Sequence, residues 1–277
     1  MKKILSIAAT AILGSALLLA GCGSDTGTNA GSGQKEVTLK VGASPVPHGE
    51  ILESVKDQLA KEGVKLEIIE FNDYVQPNIA LNDKELDANF FQHIPYMNKF
   101  TQEHKMDLAS VGPVEIEPMG LYSTKTKDKD LKNSIPDGAK IAIPNDPTNT
   151  GRALLLLEHA GLITLKDPNN IYSTKEDIAT NPKNLDIVEV EAAQTPRTLP
   201  DVFAAVINAN YALSADLNPL RDALAIDDIK SPYANIITVR KGDENRPEIQ
   251  KLIKALQSPE TKKFIEDKYQ GAIIPAF

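Results

Sequence analysis

From Val37 onward the apolar period of the chain switches repeatedly between two and 3.6, and this alternation of strand and helix restricts the fold more than any single motif. In "VTLKV", Val37, Leu39 and Val41 alternate with polar neighbours, the pattern of a half-buried strand. After the turn "GASPVPHGE", Ile51, Leu52, Val55 and Leu59 recur at helical spacing up to Gly63, a helix stop. "VKLEIIEF" reads as a second strand, Tyr74 to Asn82 as a short helix and "LDANFF" as a third strand. The order βαβαβ implies parallel pairing through right-handed crossovers.

The series continues with a helix over Pro95 to His104 and the strands "LASV" and "EPMGLYS". A polar break, "TKTKDKDLKNSIPDG", precedes a second start: strand "AKIAIPND", a helix from Gly151 to Ala160, strand "LDIVEVEA", a helix over Leu199 to Ala205 and strand "AVINAN". "NIITVRKGD" is a last strand, followed by one long amphipathic helix from Glu248 to Tyr269. The expectation is an α/β protein of two lobes joined by two crossing strands, near Met119 to Ser123 and Asn235 to Val239. Lobe 1 takes 37–120 and 236–277 and lobe 2 takes 121–235, with the ligand cleft between them, beyond the carboxyl ends of strands.

The N-terminus is different material. Lys2 and Lys3 precede an apolar run from Ile4 to Ala20, the pattern of a secretory leader, which ends in Leu19-Ala20-Gly21-Cys22. That tetrapeptide matches a lipobox, so residues 1–21 are expected to be removed and Cys22 to carry lipid. As the only cysteine, Cys22 has no disulfide partner. Residues 22–36, rich in Gly, Ser, Thr and Asn, read as a flexible tether from a membrane anchor. The net charge of −8 argues against nucleic acid and anionic membrane surfaces as partners of the folded part.

Several positions stand out for chemistry. "NFFQHIPY", residues 89–96, concentrates three aromatic rings and a histidine in a chain that is 5% aromatic. Adjacent strand residues face opposite sides, so Phe90 is expected in a core and Phe91 toward the strand end with His93 and Tyr96; the group is either a pocket wall or a surface cluster with a capping histidine. With the helix starting near Gly151, Arg152 falls in its first turn against the positive end of the dipole, which calls for an anion: a ligand carboxylate, or a protein carboxylate such as Asp146. Asn210 and Asn235 flank predicted strands at positions between the lobes and are either head-group contacts or ordinary turn residues.

Catalytic signatures are missing: there is no HExxH, GxSxG or P-loop, and the lone cysteine is committed to lipid. His48, His93, His104 and His159 are too scattered for a metal site unless folding gathers them, and "VEIEP" offers carboxylates without a recognisable acid/base pair. No enzyme activity, cofactor or metal is expected.

Taken together, the lipobox, "VGASPVPHGEIL", "FNDYVQPNIAL", "DANFFQHIPYM", "EPMGLYS", "IAIPNDPTNTGRALLLLE", "INANYAL" and "SPYANIITVR" resemble the methionine-binding lipoproteins of bacterial ABC importers, the NlpA-type solute-binding family. The resemblance implies a type II periplasmic-binding-protein fold and a lipid-anchored, monomeric receptor on the extracytoplasmic side of the cell membrane. Such a receptor delivers methionine, as either enantiomer or a methionyl dipeptide, to a permease with a cytoplasmic ATPase. It further implies a side-chain pocket of Tyr74, Phe91, His93 and Tyr96 and a polar clamp in which Arg152 holds the carboxylate while Asn210 and Asn235 bond the head group. An adhesin or assembly factor with a vestigial cleft is the alternative from a different class.

Overall fold

The computed structural model describes residues 36–228 and 232–277; the expected leader, the lipid-bearing Cys22 and the tether up to residue 35 lie outside the described residues. The first stretch runs β1 (Val37–Ala43), α1 (Glu50–Lys61), β2 (Val64–Glu70), α2 (Gln76–Asn82), β3 (Ala88–His93), α3 (Ile94–His104) and β4 (Leu108–Ile116). The second runs β5 (Gly120–Tyr122), α4 (Leu131–Ser134), β6 (Lys140–Pro144), α5 (Pro147–His159), the small hairpin β7 (Thr164–Leu165) and β8 (Ile178–Thr180), β9 (Asp186–Val190), β10 (Ala204–Ile207), α6 (Ala209–Ser214), α7 (Pro219–Asp222) and β11 (Ala225–Ile226). The chain closes with β12 (Ala234–Arg240), α8 (Pro247–Leu256), α9 (Pro259–Tyr269) and β13 (Ile274–Pro275).

Two main sheets result. One has six strands in the order β13-β4-β12-β3-β1-β2, the other five in the order β11-β5-β10-β6-β9. As the βαβαβ pattern requires, β1 pairs in parallel with both β2 and β3. Likewise β6 pairs in parallel with β9 and β10. Strand β12 comes back from the second sheet and lies antiparallel between β3 and β4.

Each sheet has its own core. Ile51, Leu52, Val55 and Leu59 of α1 and Ile249, Leu252 and Leu256 of α8 pack with Leu39, Val41 and Phe90 of the first sheet. Leu154 and Leu157 of α5 pack with Ile141, Ile143 and Val206 of the second. Full burial of each Leu, Ile or Phe contributes roughly 1.5–3 kcal/mol.

Four expectations change. Helix α5 starts at Pro147, not near Gly151: the Asp146 side chain accepts from the Asn149 N–H at 2.9 Å, and Pro147 occupies the first helical position, where its missing N–H costs nothing. Arg152 therefore sits in the second turn, and the dipole argument for an anion at its position lapses. The long C-terminal helix is two helices, because the Ser258 hydroxyl accepts from Thr261 N–H at 3.2 Å and Pro259 cannot continue α8. Leu199 to Ala205 forms no helix; the Phe203 N–H bonds Lys140 O at 2.9 Å, and Ala204 onward pairs with β5 and β6. Finally, β3 begins two residues later than "LDANFF" and continues through His93, and β4 extends to Ile116.

Gly151 has a packing role. A Cβ built there would lie 2.2 Å from Ile171 O, so the backbone of α5 touches the loop before β8 directly.

Candidate functional site

Strand β3 is buried along its whole length and its alternation separates the two phenylalanines. Phe90 is in the core of the first sheet. Phe91 joins Tyr96 and Phe100, with Tyr74 and Ile79 against them. The rings form an edge-to-face set: Phe91 to Tyr96 at 5.9 Å and 78°, Tyr74 to Tyr96 at 5.8 Å and 71°. Tyr74 is held by the carbonyl it presents to Tyr96 Oη at 2.9 Å. Its loop leads into α2, which is pinned to β3 by buried amides: Asn78 and Gln92 exchange two hydrogen bonds of 2.7 and 2.9 Å, and Asn89 Nδ2 donates to Asn78 Oδ1 at 2.9 Å.

His93 ends β3 and caps α3. Its Nδ1 accepts from the Tyr96 N–H at 3.2 Å, which assigns any ring proton of the neutral form to Nε2. Burial, reinforced by the charge of Arg152, drives its pKa down to about 3, so the ring is neutral and Nε2–H is a donor.

The opposite wall comes from the second half of the chain. Arg152 is 4% exposed; its Nε donates to Asp227 Oδ2 at 2.5 Å, its Nη2 to Glu117 O at 2.6 Å, and its guanidinium lies 4.4 Å above the Tyr233 ring. The partner carboxylate is thus Asp227, 75 residues away, and Asp146 serves instead as the cap of α5. Asn210, on α6, accepts the Tyr74 Oη–H through Oδ1 at 2.6 Å. Asn235, near the start of β12, commits its amide nitrogen to Glu115 Oε1 at 2.8 Å and to His48 Nε2 at 3.1 Å.

All seven residues singled out from the sequence, Tyr74, Phe91, His93, Tyr96, Arg152, Asn210 and Asn235, line one cavity. About 340 Å³ between its walls is free of protein atoms, open solvent included. The walls are close, and the space between them is a slot. Gln92, Glu117, Asn149, Asn208 and Ala209 complete the lining and were not anticipated. Tyr233, stacked on Arg152, was missed as well, although it stands in the quoted "SPYANIITV".

Glu117 had a legible signal. Glu115 and Glu117 of "VEIEP" are two apart on an extended segment, which puts both on one side, and the fold brings His48 Nε2 to 3.3 Å from each Oε1. The three side chains could bridge a cation, their ligand atoms all lying within 4.8 Å of one another. Asn235 Nδ2, however, points its hydrogens into the same cluster, and a cation there would face that donor; the arrangement fits carboxyls that share protons. Burial pushes both carboxyls up, to about 8, with Glu115 adding to the rise at Glu117, and burial lowers the pKa of His48.

Chemically, the slot has an aromatic, slightly polarisable end, and its lining also carries one guanidinium, one carboxyl and five amide side chains. Among the lining residues there is no serine, cysteine or lysine to serve as a nucleophile.

Comparison with known proteins agrees with this geometry. The methionine-binding lipoprotein MetQ of Bacillus subtilis is 42% identical over 264 residues, covering 93% of both chains. A nutrient-binding protein from Burkholderia cenocepacia, solved bound to methionine, superposes with a TM-score of 0.82 at 48% identity, covering 86% of this chain and 100% of that one. A periplasmic substrate-binding protein of an ABC transporter from Coxiella burnetii gives a TM-score of 0.81 at 44% identity, covering 86% and 100%. The architecture is accordingly the α/β periplasmic-binding-protein fold. With residues 39–277 matched by the NlpA lipoprotein family model as well, the chain belongs to the NlpA lipoprotein family.

Proposed function

We propose that this protein is a solute-binding lipoprotein that takes methionine, or a close relative, into the slot and delivers it to an ABC importer. One observation carries the reading: the aromatic set Tyr74, Phe91 and Tyr96 and the guanidinium of Arg152 face the same narrow cavity, in a chain 48% identical to a protein solved with methionine bound.

The energetics suit an amino acid with an unbranched thioether side chain. Burying such a side chain contributes about 1.5–3 kcal/mol, and sulfur against ring edges roughly 0.3–1.5 kcal/mol more. Micromolar affinity needs about 8.2 kcal/mol net of the entropy lost on association. Aromatic packing falls short, so the charged head group must supply the rest, with Arg152 as carboxylate partner and Asn210 and Asn235 beside it. His93 Nε2–H adds a neutral donor at the same end.

The lobe assignment follows from this role: 37–120 with 236–277 and 121–235 close on the ligand, since only the closed arrangement presents both walls at once. Lipid on Cys22 holds the receptor, as a monomer, at the extracytoplasmic face of the membrane, and transfer goes to the permease of an ATP-driven importer. Among the described residues no helix is long and apolar enough to cross a membrane.

Calorimetric titration of the full-length protein in detergent with L-methionine, D-methionine and methionyl dipeptides tests the binding role. Saturable heat with at least one of them is expected, and its absence with all would refute the reading. Loss of membrane association in Cys22→Ala tests the anchor.

A further inference from the structure

Tyr211, on α6 beside Asn210, lies outside the slot lining and yet touches its wall. Its ring centroid is 4.9 Å from that of Tyr74, with the planes tilted by 34°, and the other ring neighbours of Tyr74 are the slot residues Phe91 and Tyr96 at 5.8 Å each. The Tyr211 hydroxyl donates to Asn72 O at 3.3 Å, so ring and hydroxyl reach the same loop. That loop is held at its exit: Asp73 Oδ1 accepts the N–H groups of Val75 and Gln76 at 2.7 and 2.8 Å, at the start of α2. Tyr211 also packs against the part of the second core that contains Leu199, Val202 and Ala205. One side chain therefore spans from the core of the second sheet to the loop that carries Tyr74.

This bridge crosses between the two expected lobes, since Asn72 and Tyr74 fall in 37–120 and Tyr211 in 121–235. Parting of the lobes breaks both of its contacts. Tyrosine suits a contact that is made and broken: Tyr211 is half-buried, and its ring is apolar while its hydroxyl can be satisfied by water. Asn72 is exposed, so opening strands no buried polar group at either end. The neighbouring link between Tyr74 Oη and Asn210 Oδ1 lies within the slot, where a ligand can alter it. The Tyr211 contacts lie outside, and they favour the closed arrangement whichever ligand is within.

We infer that Tyr211 is a positioning residue that clasps the Tyr74 loop to α6, setting how long a captured ligand is retained without choosing which ligand is captured. The inference rests on the reading of a receptor that closes on methionine, and deepens it. A ligand leaves through the open form, so a contact present only in the closed form slows release and leaves entry nearly untouched.

The test uses Tyr211→Leu, which keeps apolar bulk against the second core and removes the aromatic face and the hydroxyl. Full-length protein in detergent is loaded with radiolabelled methionine, release is timed after addition of excess unlabelled methionine, and calorimetric titration of the same preparations gives the affinities. Release from Tyr211→Leu is expected to be about 10–50-fold faster than from wild type, with the association rate constant changed by less than about 3-fold. The ratio of affinities for methionine and norleucine should stay within about 2-fold of the wild-type ratio. Tyr211→Phe, which loses only the hydroxyl bond, should release about 2–5-fold faster.

Release from Tyr211→Leu within about 2-fold of wild type would overturn the inference. So would an affinity loss carried by the association rate constant, which is what a general disturbance of α6 would give. A shifted ratio of methionine to norleucine would sink it as well, because the residue would then be shaping the ligand's surroundings. Wild-type protein that retains no label would overturn the inference together with the free-methionine reading on which it rests. Should Tyr211→Leu not fold, as judged by circular dichroism, Tyr211→Phe decides, and release within about 1.3-fold of wild type would count against the clasp.

Discussion

Tyr74 and Asn210, 136 positions apart in the chain, share a 2.6 Å hydrogen bond that ties the loop before α2 to helix α6 across the slot. The hydroxyl donates to Asn210 Oδ1, leaving the amide nitrogen of Asn210 as the donor available to a ligand. Tyr74→Phe keeps the ring against Phe91 and removes the hydroxyl that makes this link. A net hydrogen bond is worth about 0.5–1.5 kcal/mol, so methionine affinity should fall about 2–10-fold with the thermal midpoint nearly unchanged. Titration and a melting curve on the same sample check both halves.

Arg152 has a structural task as well as the proposed carboxylate contact, because Asp227 is nearly buried against it. Arg152→Met strands that carboxylate and should cost about 3–5 kcal/mol in urea denaturation. Adding Asp227→Asn should recover part of the stability and none of the methionine binding. Recovery of binding in the double variant would show that the guanidinium acts only by satisfying Asp227.

Stability should vary with pH through two opposing sets of groups. Glu115 and Glu117, at about 8 in the fold against an ordinary 4.5, make the folded chain hold more protons than the unfolded one between those values, so stability falls as pH rises through that window. The groups facing them are His48, Arg152 and the amides of Asn210 and Asn235. His93, at about 3 against 6.5, acts the other way: its contribution is complete above 6.5 and is lost as pH falls toward 3. Denaturation midpoints measured from about pH 4 to pH 9 should fall on the alkaline side, and Glu117→Gln should flatten that fall while leaving the acid side, which belongs to the histidine, in place.

The Asn78, Asn89 and Gln92 amides form a closed set under the aromatic wall, with Thr238 accepting from Gln92 at 3.2 Å. Asn78→Leu removes an acceptor shared by Asn89 and Gln92 and takes away the amide that donates to Gln92 Oε1, an oxygen that stays buried. A loss of about 2–4 kcal/mol in urea denaturation is expected. A loss below about 0.5 kcal/mol would mean that water replaces the amide.

What the sequence made legible was whatever depends on neighbours in the chain. Strand parity separated Phe90 from Phe91, and apolar spacing located α1 and the βαβαβ order. Local signals were also misread: Asp146 followed by Pro147 is a helix start, and Ser258 followed by Pro259 is a second one, yet apolar periodicity ran through the latter and obscured it. The pairings that build the slot were out of reach for a different reason. Arg152 meets Asp227 where β11 pairs with β5, and His48 meets Glu115 and Glu117 in a sheet where β12 returns between β3 and β4, choices of tertiary pairing that no local pattern encodes. The family resemblance supplied Tyr74 and the roles proposed for the clamp; it did not point to Glu117, Asn208 or Tyr233.

Gly151 gives the binding apparatus a point of genetic fragility outside the cavity wall. Every amino-acid-changing point mutation of a glycine codon that avoids a stop adds a Cβ, and here that atom would sit 2.2 Å from Ile171 O, in backbone that has no rotamer to yield. The collision would be relieved by moving α5, and the next residue along α5 is Arg152. The tolerated alphabet at position 151 is therefore one letter long, and the guanidinium inherits that intolerance from a neighbour with no side chain of its own.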